Sequence, residues 1–356
     1  MPKKNNKLKV LHVVASLNVG GAERFVIDLS LAQKNLGIEP SIISLGNPKD
    51  ILVSTCKSSN VPVITYSASS YVKFCLVFFA LFKFDIIHVH SPHALKYIRL
   101  FLPFLNAKVI YTRHGAAPYS KGHWLKFHQK IKQYISAVTF VSQEGLNIFQ
   151  GIHQWDNIAS SVIDNGVLLS PINSTTVASK KLRIGSVGRM IPLKNQIGLL
   201  KALALLSEDA RSNISVDFFG DGECFEQLKA FDNEYLPTTA VKFHGMVNDR
   251  ELIYSSFDLL VVTSETEGLS MVIIEAMANQ IPVIATDVGG NPKLVLPNQT
   301  GWLFDYDDEE QLAKIIANIV NDKTILKPLG HEALNYVATN FSIETSANKY
   351  LKLYES

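Results

Sequence analysis

The chain has 356 residues, more than one ordinary hydrophobic core holds, and so fits two domains. At 47% hydrophobic and 19% charged it has a globular composition, which excludes a disordered chain, and a net charge of +2 does not suggest a nucleic-acid binder. Its cysteines, Cys56, Cys75 and Cys224, are widely spaced without metal-type pairing, which fits a reducing, cytoplasmic compartment.

The opening "MPKKNNKLKVLHVVAS" has a basic start and a short apolar stretch. It passes directly into strand and helix patterning without a small-residue cleavage site, which argues against a secretion signal. Strand candidates in the first half are "KVLHVVAS", "PSIISLG", "VPVITYS", "FDIIHVH", "AKVIYTRH" and "AVTFVS". Helical runs lie between them. "AERFVIDLSLAQKNLG" places Phe25, Val26, Leu29 and Ala32 on one face and stops at Gly37. The most apolar segment, "FCLVFFALF", is far short of the roughly 20 residues that span a bilayer. A soluble protein is expected, attached at most to a membrane surface.

Residues 170–181, "SPINSTTVASKK", are polar and aperiodic and read as a linker. The alternation restarts with "LRIGSVG", "ISVDFFG", "VKFHG", "DLLVVTS", "PVIATD" and "GWLF". These patterns predict an α/β protein of two doubly wound, Rossmann-like domains. The expected division is a domain over 1–172, a linker over 173–181, a second domain over 182–342, and a helix over 343–356 that can pack back on the first domain. Glycines and charges crowd the strand ends of both halves, where ligands bind in such sheets, and point to a cleft between them.

In "GSVGRMIPLKN", Arg189 and Lys194 flank a turn before a helix, an arrangement suited to a diphosphate or, more plainly, to a solvated helix start. No Gly-Lys-Ser/Thr follows, so this is not a P-loop. In "SETEGLSMVIIEAMA", Gly268 permits an unusual turn and Ser270 can cap the next helix, leaving the N–H groups of Gly268, Leu269 and Ser270 open to an anion. Even on a continuous helix, Glu267 and Glu275 would stand about 12 Å apart. They would hold different parts of one elongated ligand, such as a nucleotide sugar. The plainer alternative makes them a turn residue and a half-exposed helix residue.

The ordered series "VGR…K", "GDG", "HG", "EGLSMVIIEA", "TDVGG" and "TGWLF", with "GGAER" and "RHG" in the first half, resembles glycosyltransferase family four. The resemblance covers nearly the whole chain and implies the GT-B fold and a retaining, metal-independent hexosyltransferase. A UDP- or GDP-sugar would be co-substrate, with no other cofactor. It assigns Gly20, Gly21 and His114 to the donor from the first domain, and Arg189 and Lys194, beside Gly188, to the diphosphate. Glu267 would hold the sugar and Glu275 the ribose, with Gly268, Leu269 and Ser270 at the phosphates. His114, Glu267, Arg189 and Lys194 form the expected catalytic set. The acceptor would be a carbohydrate or lipid-linked hydroxyl in cell-surface polysaccharide or glycolipid synthesis. Asn195 and Met271 depart from the family pattern. A GT-B sugar-nucleotide epimerase and an inactive nucleotide-sugar-binding protein are the alternatives.

Three other signals carry less. His88, His90 and His93, with His114 nearby, are conceivable metal ligands, but no carboxylate or cysteine completes them. "DYD", Asp305 to Asp307, reads as acidic capping of the helix that follows. The stripe Trp124, Phe127, Ile131, Tyr134 and Ile135 would pack on the sheet or, with Lys126 and Lys130, meet anionic lipid at the cytoplasmic face of a membrane.

Overall fold

The structure, a computed structural model, describes residues 7–18, 20–67, 70–115, 119–169 and 181–356. It divides into two compact units, Met1–Leu168 with Ile343–Ser356, and Leu169–Ser342. Of the expected linker, residues 173–180 lie outside the described residues.

The first unit is built on seven strands: β1 (Lys9–Val14), β2 (Glu39–Ser44), β3 (Val63–Ile64), β4 (Ile86–Val89), β5 (Lys108–Arg113), β6 (Ala137–Phe140) and β7 (Ala159–Val162). All pairs are parallel, in the order β3-β2-β1-β4-β5-β6-β7, so strand order reverses between β1 and β4. The register sets His12 of β1 beside His88 of β4. Leu11, Val13, Ile87, Val89 and Trp155 belong to a core cluster in which each is fully buried. Burial of each such side chain contributes about 1.5–3 kcal/mol.

The Gly21–Asn35 helix turns Phe25, Val26, Leu29 and Ala32 inward. It ends where Gly37 adopts φ +80, and the Ile38 N–H returns to the Gln33 carbonyl at 3.1 Å, a left-handed close that suits glycine. The Ile343–Glu355 helix packs on it and buries Ile343, Tyr350 and Tyr354. In the Gly122–Ile131 helix Trp124, His128 and Ile131 are buried, and Phe127, Tyr134 and Ile135 pack with the core. The aromatic stripe is therefore a packing face. Exposed apolar groups lie instead around the Ser70–Leu81 helix, where Tyr71 is 77% and Phe79 66% exposed. No helix among the described residues is long and apolar enough to cross a membrane.

The second unit carries β8 (Leu182–Val187), β9 (Ile214–Phe219), β10 (Ala240–Phe243), β11 (Leu259–Val262), β12 (Val283–Thr286) and β13 (Gly301–Phe304). They are parallel in the order β10-β9-β8-β11-β12-β13, with the reversal between β8 and β11. The loops leaving those two strands are the ones that hold Arg189, Lys194 and Glu267.

Candidate functional site

After β8 the chain passes through Gly188, at φ +152, and a single 3-10 turn, Pro192–Lys194, before the Gln196–Ala204 helix. Two glycines of the next loop hold this segment. A Cβ at Gly220 would sit 1.9 Å from the Gly188 carbonyl oxygen, and one at Gly222 2.3 Å from that of Met190. Only glycine permits these approaches, and both are also at positive φ. Asn195 makes the turn into the helix at φ 45, ψ 39. Asparagine tolerates that left-handed region as glycine does, so this departure from the family pattern is compatible with the turn.

The loop after β11 is fastened to this turn. Thr263 Oγ1 donates to the carbonyls of Lys194 and Asn195 at 3.0 and 2.7 Å, and the Glu265 N–H donates to the Leu193 carbonyl at 2.9 Å. The side chains then meet. Lys194 Nζ lies 2.6 Å from Glu267 Oε1, which also accepts from Ser264 Oγ at 2.8 Å. Glu267 is 9% exposed, and its Oε2 has no hydrogen bond among the described residues. Arg189 is exposed and makes no ion pair with a described residue. A small pocket lies against Ser186, Lys194, Gln196, Thr263, Ser264 and Glu267.

Gly268 does not take a left-handed turn, contrary to the expectation from sequence; its role is close approach. A Cβ on Gly290 would stand 1.9 Å from the Gly268 carbonyl oxygen, so the "TDVGG" loop is pressed on the Glu267–Leu269 backbone. Ser270 occupies the N-cap of the Met271–Ala278 helix but its hydroxyl does not cap it. Among the described residues no acceptor takes the N–H of Gly268, Leu269 or Ser270. Such open N–H groups at a helix start favour an anion.

Glu275 is buried within that helix, which is why its sequence looks core-like. Its Oε2 accepts from the Tyr254 hydroxyl at 2.5 Å, and its Oε1 lies 2.9 Å from Arg250 Nη2. Both partners come from the Arg250–Ser255 helix, which sequence reasoning passed over. The carboxylate is thus oriented by two groups rather than solvated. Asp308, one residue beyond "DYD", caps the Glu309–Asn321 helix by accepting from the Gln311 N–H.

In the first unit, Gly20 is the N-cap of the Gly21–Asn35 helix, with extended backbone at φ −166, and Gly21 begins the helix. A Cβ at Gly20 would meet the Glu23 carboxylate at 2.3 Å. His114 is half-buried just beyond β5, its Nε2 3.0 Å from His90 Nδ1. Burial lowers its pKa to about 4. His12, His88 and His90 come close enough to share an ion. Each of their ring nitrogens already has a protein hydrogen-bond partner, so an ion would have to displace those bonds. His93 instead stands against Tyr119 and Trp124, and His12, unremarked in the sequence, takes its place in the cluster.

Comparison with known proteins agrees with these motifs. The glycosyl transferases group 1 family model matches residues 172–336, and the Glycosyltransferase Family 4 model residues 19–170. The putative glycosyltransferase EpsD of Bacillus subtilis is 25% identical over 298 residues, 77% of either chain. The UDP-Gal:alpha-D-GlcNAc-diphosphoundecaprenol alpha-1,3-galactosyltransferase of Escherichia coli is 25% identical over 99% of this chain and 98% of its own. In fold, the chain is similar to Anabaena HepE in complex with UDP and glucose, with TM-score 0.84 at 20% identity over 98% of this chain and 100% of that one. The two family models together take in most of the chain, which belongs to the family-four glycosyltransferases and carries their two-domain, Rossmann-like GT-B fold.

Proposed function

We propose that this glycosyltransferase is a retaining, metal-independent enzyme that moves a hexosyl group from a UDP- or GDP-sugar to an acceptor hydroxyl in polysaccharide or glycolipid assembly. The observation that carries the reading is the Lys194–Glu267 pair set beside the open N–H groups of Gly268, Leu269 and Ser270. A cation, an anion acceptor site and a carboxylate with one unused oxygen suit a diphosphate joined to a polyhydroxylated sugar.

As the bond between the sugar carbon and the phosphate oxygen breaks, its electron pair passes to the diphosphate. Arg189, Lys194 and the helix start stabilise that charge, the work a divalent cation performs elsewhere. The acceptor oxygen bonds to the sugar carbon on the face the diphosphate leaves, and its proton goes to the departing phosphate oxygen. Glu267 Oε2 holds sugar hydroxyls. Glu275, fixed by Tyr254 and Arg250, accepts from the ribose diol. We assign His114, Gly20 and Gly21 to the donor sugar by the family resemblance.

UDP in the HepE complex favours a uridine donor, and the lipid-diphosphate acceptor named for the Escherichia coli relative favours a lipid-linked one. Exposed Tyr71 and Phe79 favour a peripheral contact with the cytoplasmic face of a membrane through the Ser70–Leu81 helix rather than through residues 121–135. The epimerase and inactive-binder readings draw no support from relatives that are transferases.

The test is nucleotide diphosphate release from a panel of UDP-, GDP- and ADP-sugars, with and without a lipid-acceptor extract, for the native protein, Glu267→Ala and Arg189→Ala. Acceptor-stimulated release from one donor, lost in both variants, with the donor's anomeric configuration kept in the product, is the expected result. An inverted product or a chelator-sensitive rate would overturn the stereochemical or the metal-independent part.

A further inference from the structure

His114 ends an unbroken series of polar contacts that crosses the first unit's sheet and finishes on the Ile343–Glu355 helix. Its Nε2 is 3.0 Å from His90 Nδ1, and His90 Nε2 is 2.9 Å from His12 Nδ1. His12 Nε2 is 2.8 Å from Gln33 Oε1, and Gln33 Nε2 donates to the Tyr354 hydroxyl at 3.1 Å. From that hydroxyl the series runs 2.7 Å to His88 Nδ1, and from His88 Nε2 2.6 Å to Thr112 Oγ1. His12, Gln33, His88 and Thr112 are fully buried, so these groups depend on one another for partners.

A neutral imidazole has one N–H and one bare nitrogen, which gives the series a direction. Gln33 Oε1 can only accept, so His12 carries its proton on Nε2 and offers Nδ1 to His90. His90 then donates from Nε2 and offers Nδ1 to His114, which donates from Nε2 in turn. The remaining nitrogen of His114, Nδ1, is then bare, and among the described residues it has no hydrogen-bond partner. On the opposite side Tyr354, having accepted from Gln33, gives its own proton to His88. Reversing any one bond alone would set two protons or two lone pairs face to face in a buried place. Burial also keeps the rings neutral: it lowers His12 to about 4 and His88 and His90 well below the ordinary histidine value.

We propose that Gln33 and Tyr354 are positioning residues that set, through His12 and His90, which ring nitrogen of His114 bears the proton. The catalytic consequence rests on the assignment of His114 to the donor sugar. The tautomer lock does not. A fixed tautomer presents the donor with one hydrogen-bonding polarity, where an isolated imidazole would alternate between two.

The experiment is a long-range proton–nitrogen correlation on protein labelled at histidine nitrogen, at neutral pH, for the native chain, Tyr354→Phe and Gln33→Met, with turnover measured on the same samples. In the native chain His12, His90 and His114 are expected in the Nε2–H form. In either variant His114 is expected to become a mixture of both tautomers, with kcat falling several-fold and KM for the donor changing less. A single, unshifted His114 tautomer in both variants would overturn the lock, whatever turnover does. Mixed tautomers with native turnover would uphold the lock and remove His114 from the reaction.

Discussion

Replacing Gly290 by alanine adds one methyl group at a backbone conformation alanine tolerates, φ −87, so its whole effect is steric. The new carbon would lie 1.9 Å from the Gly268 carbonyl oxygen, where ordinary contact begins near 3.4 Å. The two loops must therefore part by about 1.5 Å. Overpacking of this kind costs about 1–3 kcal/mol. The carbonyl that yields belongs to the peptide joining Gly268 to Leu269, so the shift carries the Leu269 N–H and the Glu267 main chain with it. A displacement of about 1 Å in such a group lowers turnover on the order of 10²-fold. Gly330→Ala supplies the control: its Cβ would meet the Gln280 carbonyl oxygen at 2.0 Å, an equal clash away from the Glu267 loop. Thermal unfolding and kcat/KM for the nucleotide sugar would be measured on both. Similar losses of stability are expected, with the large loss of turnover confined to Gly290→Ala. Equal turnover in the two variants would refute the placing of that peptide in the site.

Glu267→Gln removes the charge facing Lys194 and keeps the shape. Donor turnover should fall about 10²-fold or more, while stability changes by only about 1 kcal/mol because Lys194 can return to solvent; an active variant in the release assay would exclude Glu267. Asn195→Val forces a β-branched residue into the left-handed region and should destabilise by about 1–2 kcal/mol, whereas Asn195→Gly should be nearly neutral in urea unfolding. Folded His12 takes a proton only near pH 4, whereas the unfolded chain takes it near 6.5. The unfolded state therefore binds more protons between those values, and stability falls as pH drops from 6.5 toward 4, by about 3 kcal/mol from this ring alone. Urea midpoints should be flat above neutral pH and decline below it; constant midpoints down to pH 4 would mean that His12 is solvated.

The strands and the diphosphate loops were legible because their signals are local. β8 and β11 are apolar runs stopped by glycine or a hydroxyl residue, and Arg189, Lys194 and Glu267 lie within a few positions of those stops. β7 was missed because "ASSV" at the sheet edge is mostly exposed and carries no apolar alternation. The two glutamates could be paired with a ligand from sequence, but not Glu275 with Tyr254 and Arg250, since that depends on how one helix lies on another. The histidine series was least legible of all: Gln33 and Tyr354 are 321 positions apart. One signal was present, a histidine in the middle of the apolar strand "KVLHVV", where a buried polar ring demands a partner.

The first unit is interrupted in sequence by the whole of the second, and residues 343–356 complete it. During synthesis the ribosome delivers all seven strands of the first sheet well before the helix that covers the Gly21–Asn35 helix and buries Tyr350 and Tyr354. Leu169–Ser342 is continuous and can fold as it emerges, whereas the earlier segment must wait with an uncovered apolar face and unmatched histidines. The order of folding is thus expected to run against the order of the chain, with the nascent first sheet a natural client for chaperones.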